Sequence, residues 1–239
     1  MPPTIEAMLT KRRPTAEYPL LGQTILVIED SRFASEALRL MCLRSGARIR
    51  RADSLRAAAR HLATYRPSIA VIDLGLPDGS GLSLISEMAA GRPPVTVILA
   101  TSGDDTNADV ALEAGAHGFL PKPVTSIAGF QVAVLDHLPK EVHPKGPRPL
   151  TEDIVLPDPL ALRDDLAHAA EVLRQGDDPE TMEYLAQFLA GLGRSAGDVV
   201  LQTAAEGVLV GLSGGESAPG QLARLTDLVT NRLNAAATV

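Results

Sequence analysis

In the run Ser68-Ile-Ala-Val-Ile-Asp73-Leu-Gly-Leu-Pro-Asp-Gly-Ser-Gly81, apolar residues lead straight into one carboxylate, and a Gly/Pro-rich turn follows. An unbroken apolar run of this kind marks a strand buried on both faces of a parallel sheet. In an open α/β sheet, functional groups collect just past the carboxyl ends of the strands. Asp73 is therefore expected on a rigid strand tip facing a cleft. A lone Asp there would ordinarily be a polar turn residue. Here three further runs repeat the pattern: Thr24-Ile-Leu-Val-Ile-Glu29-Asp30, Val95-Thr-Val-Ile-Leu-Ala-Thr101-Ser102 and Ala116-His-Gly-Phe119-Leu-Pro-Lys122-Pro123. Acid pair, acid, hydroxyl and lysine each arrive at a strand end, with room between them for helices.

The chemistry follows from these groups. Three carboxylates in one cleft repel each other, so the cluster either raises a pKa or binds a hard divalent cation. Mg2+ suits it, because that ion combines one or two carboxylates with phosphate oxygens and water. A lysine and a hydroxyl beside the acids suit a phosphoryl group. An Asp can be the nucleophile that forms an aspartyl-phosphate.

On these motifs, residues 23–138 resemble the receiver domain of two-component response regulators. The resemblance implies a flavodoxin-like, doubly wound five-stranded parallel sheet of order 2-1-3-4-5. It makes Asp73 the phosphoacceptor, with Asp30, Asp73 and the carbonyl of Gly75 holding Mg2+ directly and Glu29 acting through metal-bound water. Thr101 would hydrogen-bond the phosphoryl group and Lys122 would neutralise it. Phe119 matches an aromatic switch that moves with Thr101, and the Lys122–Pro123 bond matches one that is usually cis. The implied partner is a histidine kinase or phosphotransfer protein, and the implied role is a signalling switch, a phosphoprotein of a phosphorelay whose only chemistry is on itself, rather than an enzyme. Two departures stand out: Glu29 replaces the more common Asp, and Gly75 and Gly103 carry no side chains, which predicts open solvent access beside the phosphoryl site.

Composition agrees with a packed core of aliphatic residues, since the 239-residue chain is 45% hydrophobic but only 3% aromatic and has no tryptophan. A single cysteine, Cys42, rules out an internal disulfide and fits a cytoplasmic location. No apolar run is long enough to span a bilayer. Residues 1–22 read as a flexible tail, because Lys11-Arg12-Arg13 is followed by prolines and Glu17 instead of an apolar segment. Helices are expected at 31–45 (with Leu38 and the run 40–43 inward), 54–66, 82–90, 106–114 and 125–138. A basic strand at 47–51 is tolerable only at a sheet edge.

Six prolines between 139 and 159 read as a semi-rigid linker. Beyond it, 160–239 reads as a small all-α domain. Leu162, Leu166, Ala169, Ala170 and Leu173 form one stripe, Asp178-Pro179 starts a second helix, and 196–212 is either a third helix or an extension of the second. A loop at 213–220 precedes a last helix at 221–235. Residues 141–239 carry 7 Lys/Arg against 15 Asp/Glu, whereas 1–140 carry 15 against 14. Acidity disfavours phosphate binding, so nucleic acid is not the expected partner; a protein-interaction module that forms a homodimer or binds a partner protein is expected. Two alternatives stay open: a phosphorelay intermediate in which His168, exposed in mid-helix, passes on the phosphoryl group, and a transcription regulator with an atypical DNA-binding domain.

Overall fold

The computed structural model describes residues 13–92, 94–146, 153–175, 178–213 and 219–235. Five strands, β1 (Thr24–Ile28), β2 (Arg48–Ala52), β3 (Ile69–Asp73), β4 (Val97–Ser102) and β5 (Gly118–Pro121), alternate with α1 (Arg32–Arg44), α2 (Leu55–Thr64), α3 (Gly81–Ala90), α4 (Asn107–Glu113) and α5 (Ile127–Leu135). All pair in parallel in the order β2-β1-β3-β4-β5, as expected. A two-residue hairpin, Gly75–Leu76 against Gly79–Ser80, sits between β3 and α3. The pleat sends Ile25, Val27, Val71 and Leu99 to one face, against Leu38 and Met41 of α1 and Phe130 and Val134 of α5. Leu26, Ile28, Ile72 and Ile98 go to the other, against Ala58, Ile85, Met88 and Ala111 of α2, α3 and α4. Strands buried on both sides need the continuous apolar runs that the sequence supplies. Exposed arginines at 48, 50 and 51 mark β2 as an edge strand.

Helix starts are set by side-chain caps: the hydroxyls of Ser31, Ser54 and Ser126 accept from the amides of Ala34, Ala57 and Gly129. The inward face of α1 is narrower than the sequence suggests. Leu38, Met41 and Cys42 are buried, but Leu43 is 47% exposed, because it lies one residue's turn beyond that face.

Two boundaries move. The expected tail of residues 1–22 is not one throughout: Leu20 is fully buried and its amide donates to the Ser45 carbonyl at 2.9 Å. Tyr18 packs on Gly46, whose φ of +81° and contact with the Tyr18 Cβ leave no room for a side chain. Residues 1–12 lie outside the described residues. The proline-rich stretch is not a free spacer either. Val155 is fully buried in the first core, its amide donates to Thr125 at 2.9 Å, and Ile154 forms a single antiparallel bridge with Ser126. The stretch is fastened to the start of α5; residues 147–152 lie outside the described residues.

Four helices follow: α6 (Pro159–Gln175), α7 (Pro179–Ala196), α8 (Val199–Ser213) and α9 (Pro219–Ala235). Asp178 caps α7, accepting from the Thr181 amide at 2.8 Å, with Pro179 at the first helical position. Gly197, at φ +70°, ends α7, so the stretch expected at 196–212 is a separate helix, Val199–Ser213, rather than an extension. The turn is tight, since a Cβ on Gly193 would come within 2.7 Å of the Gln202 amide nitrogen. Arg232 of α9 reaches Asp198 at the start of α8 at 2.6 Å, holding that carboxyl below its ordinary range. Leu166, Leu185, Leu189, Leu192, Leu201, Val208, Leu225 and Val229 form a third core, and Phe33 of α1 belongs to it. The helical part is thus packed onto the sheet domain. Most of the expected loop, 214–218, is outside the described residues. No helix among the described residues is long and apolar enough to cross a membrane.

Cys42 is fully buried, and burial pushes its thiol up to about 12. The native chain is therefore expected to resist alkylation by iodoacetamide at pH 8 and to react once unfolded in guanidinium; rapid native labelling would contradict this packing.

Candidate functional site: an acid pocket roofed by a helix

The four strand ends converge as the sequence predicts. Glu29 and Asp30 follow β1, Asp73 ends β3, Thr101 lies in β4 opposite Asp73, and Lys122 follows β5. Carboxylate oxygens of Glu29, Asp30 and Asp73 lie within 4.8 Å of one another. Lys122 Nζ sits 2.8 Å from Glu29 Oε2 and 3.0 Å from Asp73 Oδ2, and the Lys122–Pro123 bond is cis. Glu29, Asp73 and Thr101 are buried. The Thr101 hydroxyl donates to the Leu120 carbonyl at 2.8 Å, next to Phe119, which is half-buried against the second core. Ser102 Oγ accepts from the Asp104 amide and the Asn107 side chain, fixing the loop after β4.

Burial raises Glu29 well above its ordinary value and the charge of Asp73 adds to it, while Lys122 pulls it back. Asp30 is pushed up to about 6, again by burial and then by Asp73. Burial alone would lower the Lys122 ammonium, but Asp73, Glu29 and Asp30 more than reverse that and raise it. One lysine thus faces three acids, which leaves negative charge uncompensated. Hard oxygen donors in such excess fit Mg2+ well. Gly75 lines the same cavity.

The sequence did not anticipate what closes this cavity of about 940 Å3: Gln187, Phe188, Gly191, Arg194 and Ser195, all of α7, face the acids across it. The Tyr184 hydroxyl donates to Asp30 Oδ2 at 2.5 Å. Burial and the nearby Asp30 charge raise the phenol's pKa, so it stays a donor. Arg194 donates to the Gly103 carbonyl and pairs with Glu206 at 3.0 Å. Gly75 has open space where a side chain would go, as expected, but Gly103 does not: a Cβ there would strike the Arg194 guanidinium. The expectation of open access at Gly103 fails for that reason. His168 is exposed on α6 and does not line the cavity, so the relay candidate is not brought to Asp73.

A second seam lies at the start of α1. Asp165, buried at the edge of the α6 stripe, accepts from Ser31 Oγ at 2.9 Å and from the amides of Arg32 and Phe33, each at 3.0 Å. A carboxylate at a helix N-terminus satisfies free amides and meets the positive end of the dipole. Burial nonetheless raises its pKa, with the Phe33 and Arg32 amides opposing. The neighbouring Arg32–Asp164 pair, at 2.8 Å, is exposed.

Comparison with known proteins gives the family. The receiver-domain family of response regulators matches residues 25–142. The Escherichia coli KDP operon transcriptional regulatory protein KdpE is 28% identical over 181 residues, 74% of this chain and 76% of KdpE. The Salmonella typhimurium virulence transcriptional regulatory protein PhoP is 36% identical over 101 residues, 41% of this chain and 45% of PhoP, so the chain spans less than half of that relative. The receiver domain of a Pseudomonas aeruginosa sensor histidine kinase, solved with magnesium in its active-site cleft, is 25% identical with a TM-score of 0.43, covering 48% of this chain and 96% of that one. A CheY-like receiver protein of Methanospirillum hungatei is 20% identical with a TM-score of 0.44, covering 48% and 91%. The expectation that nucleic acid is no partner finds no support in KdpE and PhoP, both named as transcriptional regulators.

The two contacts of this second seam differ in depth, and so should their mutants. Asp165→Ala is expected to cost about 1–3 kcal/mol, by stranding buried amides. Asp164→Ala, at an exposed pair, should cost less than about 1 kcal/mol. Urea unfolding midpoints of the two variants check this; equal losses would contradict it. The acid pocket, its lysine and hydroxyl, and the family match together identify residues 25–142 as a receiver domain of the response-regulator family.

Proposed function

We propose that the chain accepts a phosphoryl group on Asp73 from a histidine kinase or phosphotransfer protein, in a cytoplasmic phosphorelay. The observation that carries this is Asp73 itself, a buried carboxylate 3.0 Å from Lys122 within the three-acid cluster. An Asp73 oxygen attacks phosphorus, the P–N bond of the donor phosphohistidine breaks, and the leaving imidazole keeps the electron pair and takes a proton. Asp30, Asp73 and the Gly75 carbonyl would hold Mg2+, with Glu29 acting through its water. The ion supplies charge neutralisation on the phosphoryl oxygens. Lys122 holds the third side of the developing charge. Thr101 exchanges the Leu120 carbonyl for a phosphoryl oxygen, and Phe119 follows as the packing around β5 relaxes. The role is a switch that biases two arrangements, with no chemistry on other substrates.

The readout is the helical module, α6 to α9, acting through a partner protein or a dimer. Its acidity favours protein over nucleic acid; the names of KdpE and PhoP favour DNA. Titration against duplex DNA at low and high salt separates the two, because phosphate contacts weaken steeply with salt.

With Mg2+ and acetyl phosphate, the wild type is expected to gain one acid-stable phosphoryl group, read by mass spectrometry. Asp73→Asn or excess EDTA should abolish it, and His168→Ala should leave it unchanged. Labelling that survives in Asp73→Asn and disappears in His168→Ala would replace this reading with the relay.

A further inference from the structure

Both oxygens of the Asp30 carboxylate are engaged. Oδ1 accepts from the Ser31 amide at 3.0 Å, a backbone group fixed at the entrance to α1. Oδ2 accepts from the Tyr184 hydroxyl at 2.5 Å, a group on α7 that is 154 residues away in the chain. A cation drawing on Asp30 shares the carboxylate with both donors, and its charge repels the partly positive hydrogen that each one presents. The amide cannot leave without unwinding the helix start, so the phenol is the group that yields. A charge-assisted bond of this length is among the stronger side-chain contacts. The same helix holds the loop after β4 through Arg194 and Gly103, and α6 holds the start of α1 through Asp165.

We propose that Tyr184 sets the metal affinity of the acid pocket, because its hydroxyl and Mg2+ compete for Asp30, so that docking of the helical module and metal binding oppose each other. This rests on reading the Glu29, Asp30 and Asp73 cluster as the metal site of the phosphoacceptor. Linkage makes the opposition reciprocal: the factor by which the docked helix weakens Mg2+ is the factor by which Mg2+ weakens docking. Phosphorylation brings the cation and the phosphoryl oxygens to the cavity that α7 roofs. The released module is then the signal, and the contact that reports it is the one at Asp30. Removing the hydroxyl leaves the ring, and with it the packing of Tyr184 near Phe188.

Calorimetric titration of the full chain with MgCl2 tests this. Tyr184→Phe is expected to bind Mg2+ about tenfold more tightly than the wild type, the equivalent of one hydrogen bond to a charged acceptor. Asp165→Asn, which loosens the second seam through Ser31 and leaves the three acids in place, should also tighten it, by a smaller factor. Hydrogen exchange gives a readout independent of affinity: Mg2+ with beryllium fluoride should speed exchange of the Arg32 and Phe33 amides, which Asp165 holds in the docked form. Equal Mg2+ affinity in wild type and Tyr184→Phe, or weaker affinity in the variant, overturns the proposal, the latter by making Tyr184 a group that orients Asp30 for the ion. Unchanged amide exchange overturns the coupling. Failure of both proteins to bind Mg2+ removes the functional reading itself, and the inference with it.

Discussion

Three carboxylates are forced together around one ammonium, and the remainder of the structure exists to hold them there. Glu29, Asp30 and Asp73 repel each other, and burial makes each charge more costly than it would be in water. Only a stiff frame can sustain that. Parallel strands packed on both faces give one: every side chain of β3 is buried, and the register sets Asp73 beside Thr101. Lys122 reaches in from β5 to two of the three acids. The residual repulsion is what makes the pocket receptive to a dication.

The helical part belongs to this economy of charge rather than standing apart from it. It contributes a phenol to Asp30, a guanidinium over Gly103, a carboxylate to the first turn of α1 and a shared core around Phe33. These contacts unite hydrogen bonds to charged groups with apolar burial, which is why they define one arrangement of module and sheet. A surface pair such as Arg32–Asp164 could not do so alone.

The sheet and its site were legible in sequence because strand-end chemistry is local. An apolar run ending in Asp73 carries both its burial and its position in a few consecutive residues. The stripes of α6 and α7 were legible for the same reason, and Asp178-Pro179 marked a helix start that the structure keeps. What escaped notice depends on contacts between distant segments. Asp165 lies at the edge of an apolar stripe, and Tyr184 is one of three tyrosines in a chain poor in aromatics, the one signal each carries. Nothing local tells which surface either one meets. The docking of Leu20 and Val155 was hidden likewise, since Leu20-Leu21 and Ile154-Val155-Leu156 are short apolar runs in stretches with the composition of a tail or linker.

The seam joins residues separated by more than a hundred positions: Ser31 to Asp165 by 134, Asp30 to Tyr184 by 154. Domains fold in order as the chain leaves the ribosome, and long closures form after short ones. The five strands and their five helices lie within the first 135 residues, so they emerge before α6 and α7. A nascent chain therefore passes through a stage in which the acids are assembled and uncovered. At that stage Asp30 stands without the phenol that later covers it.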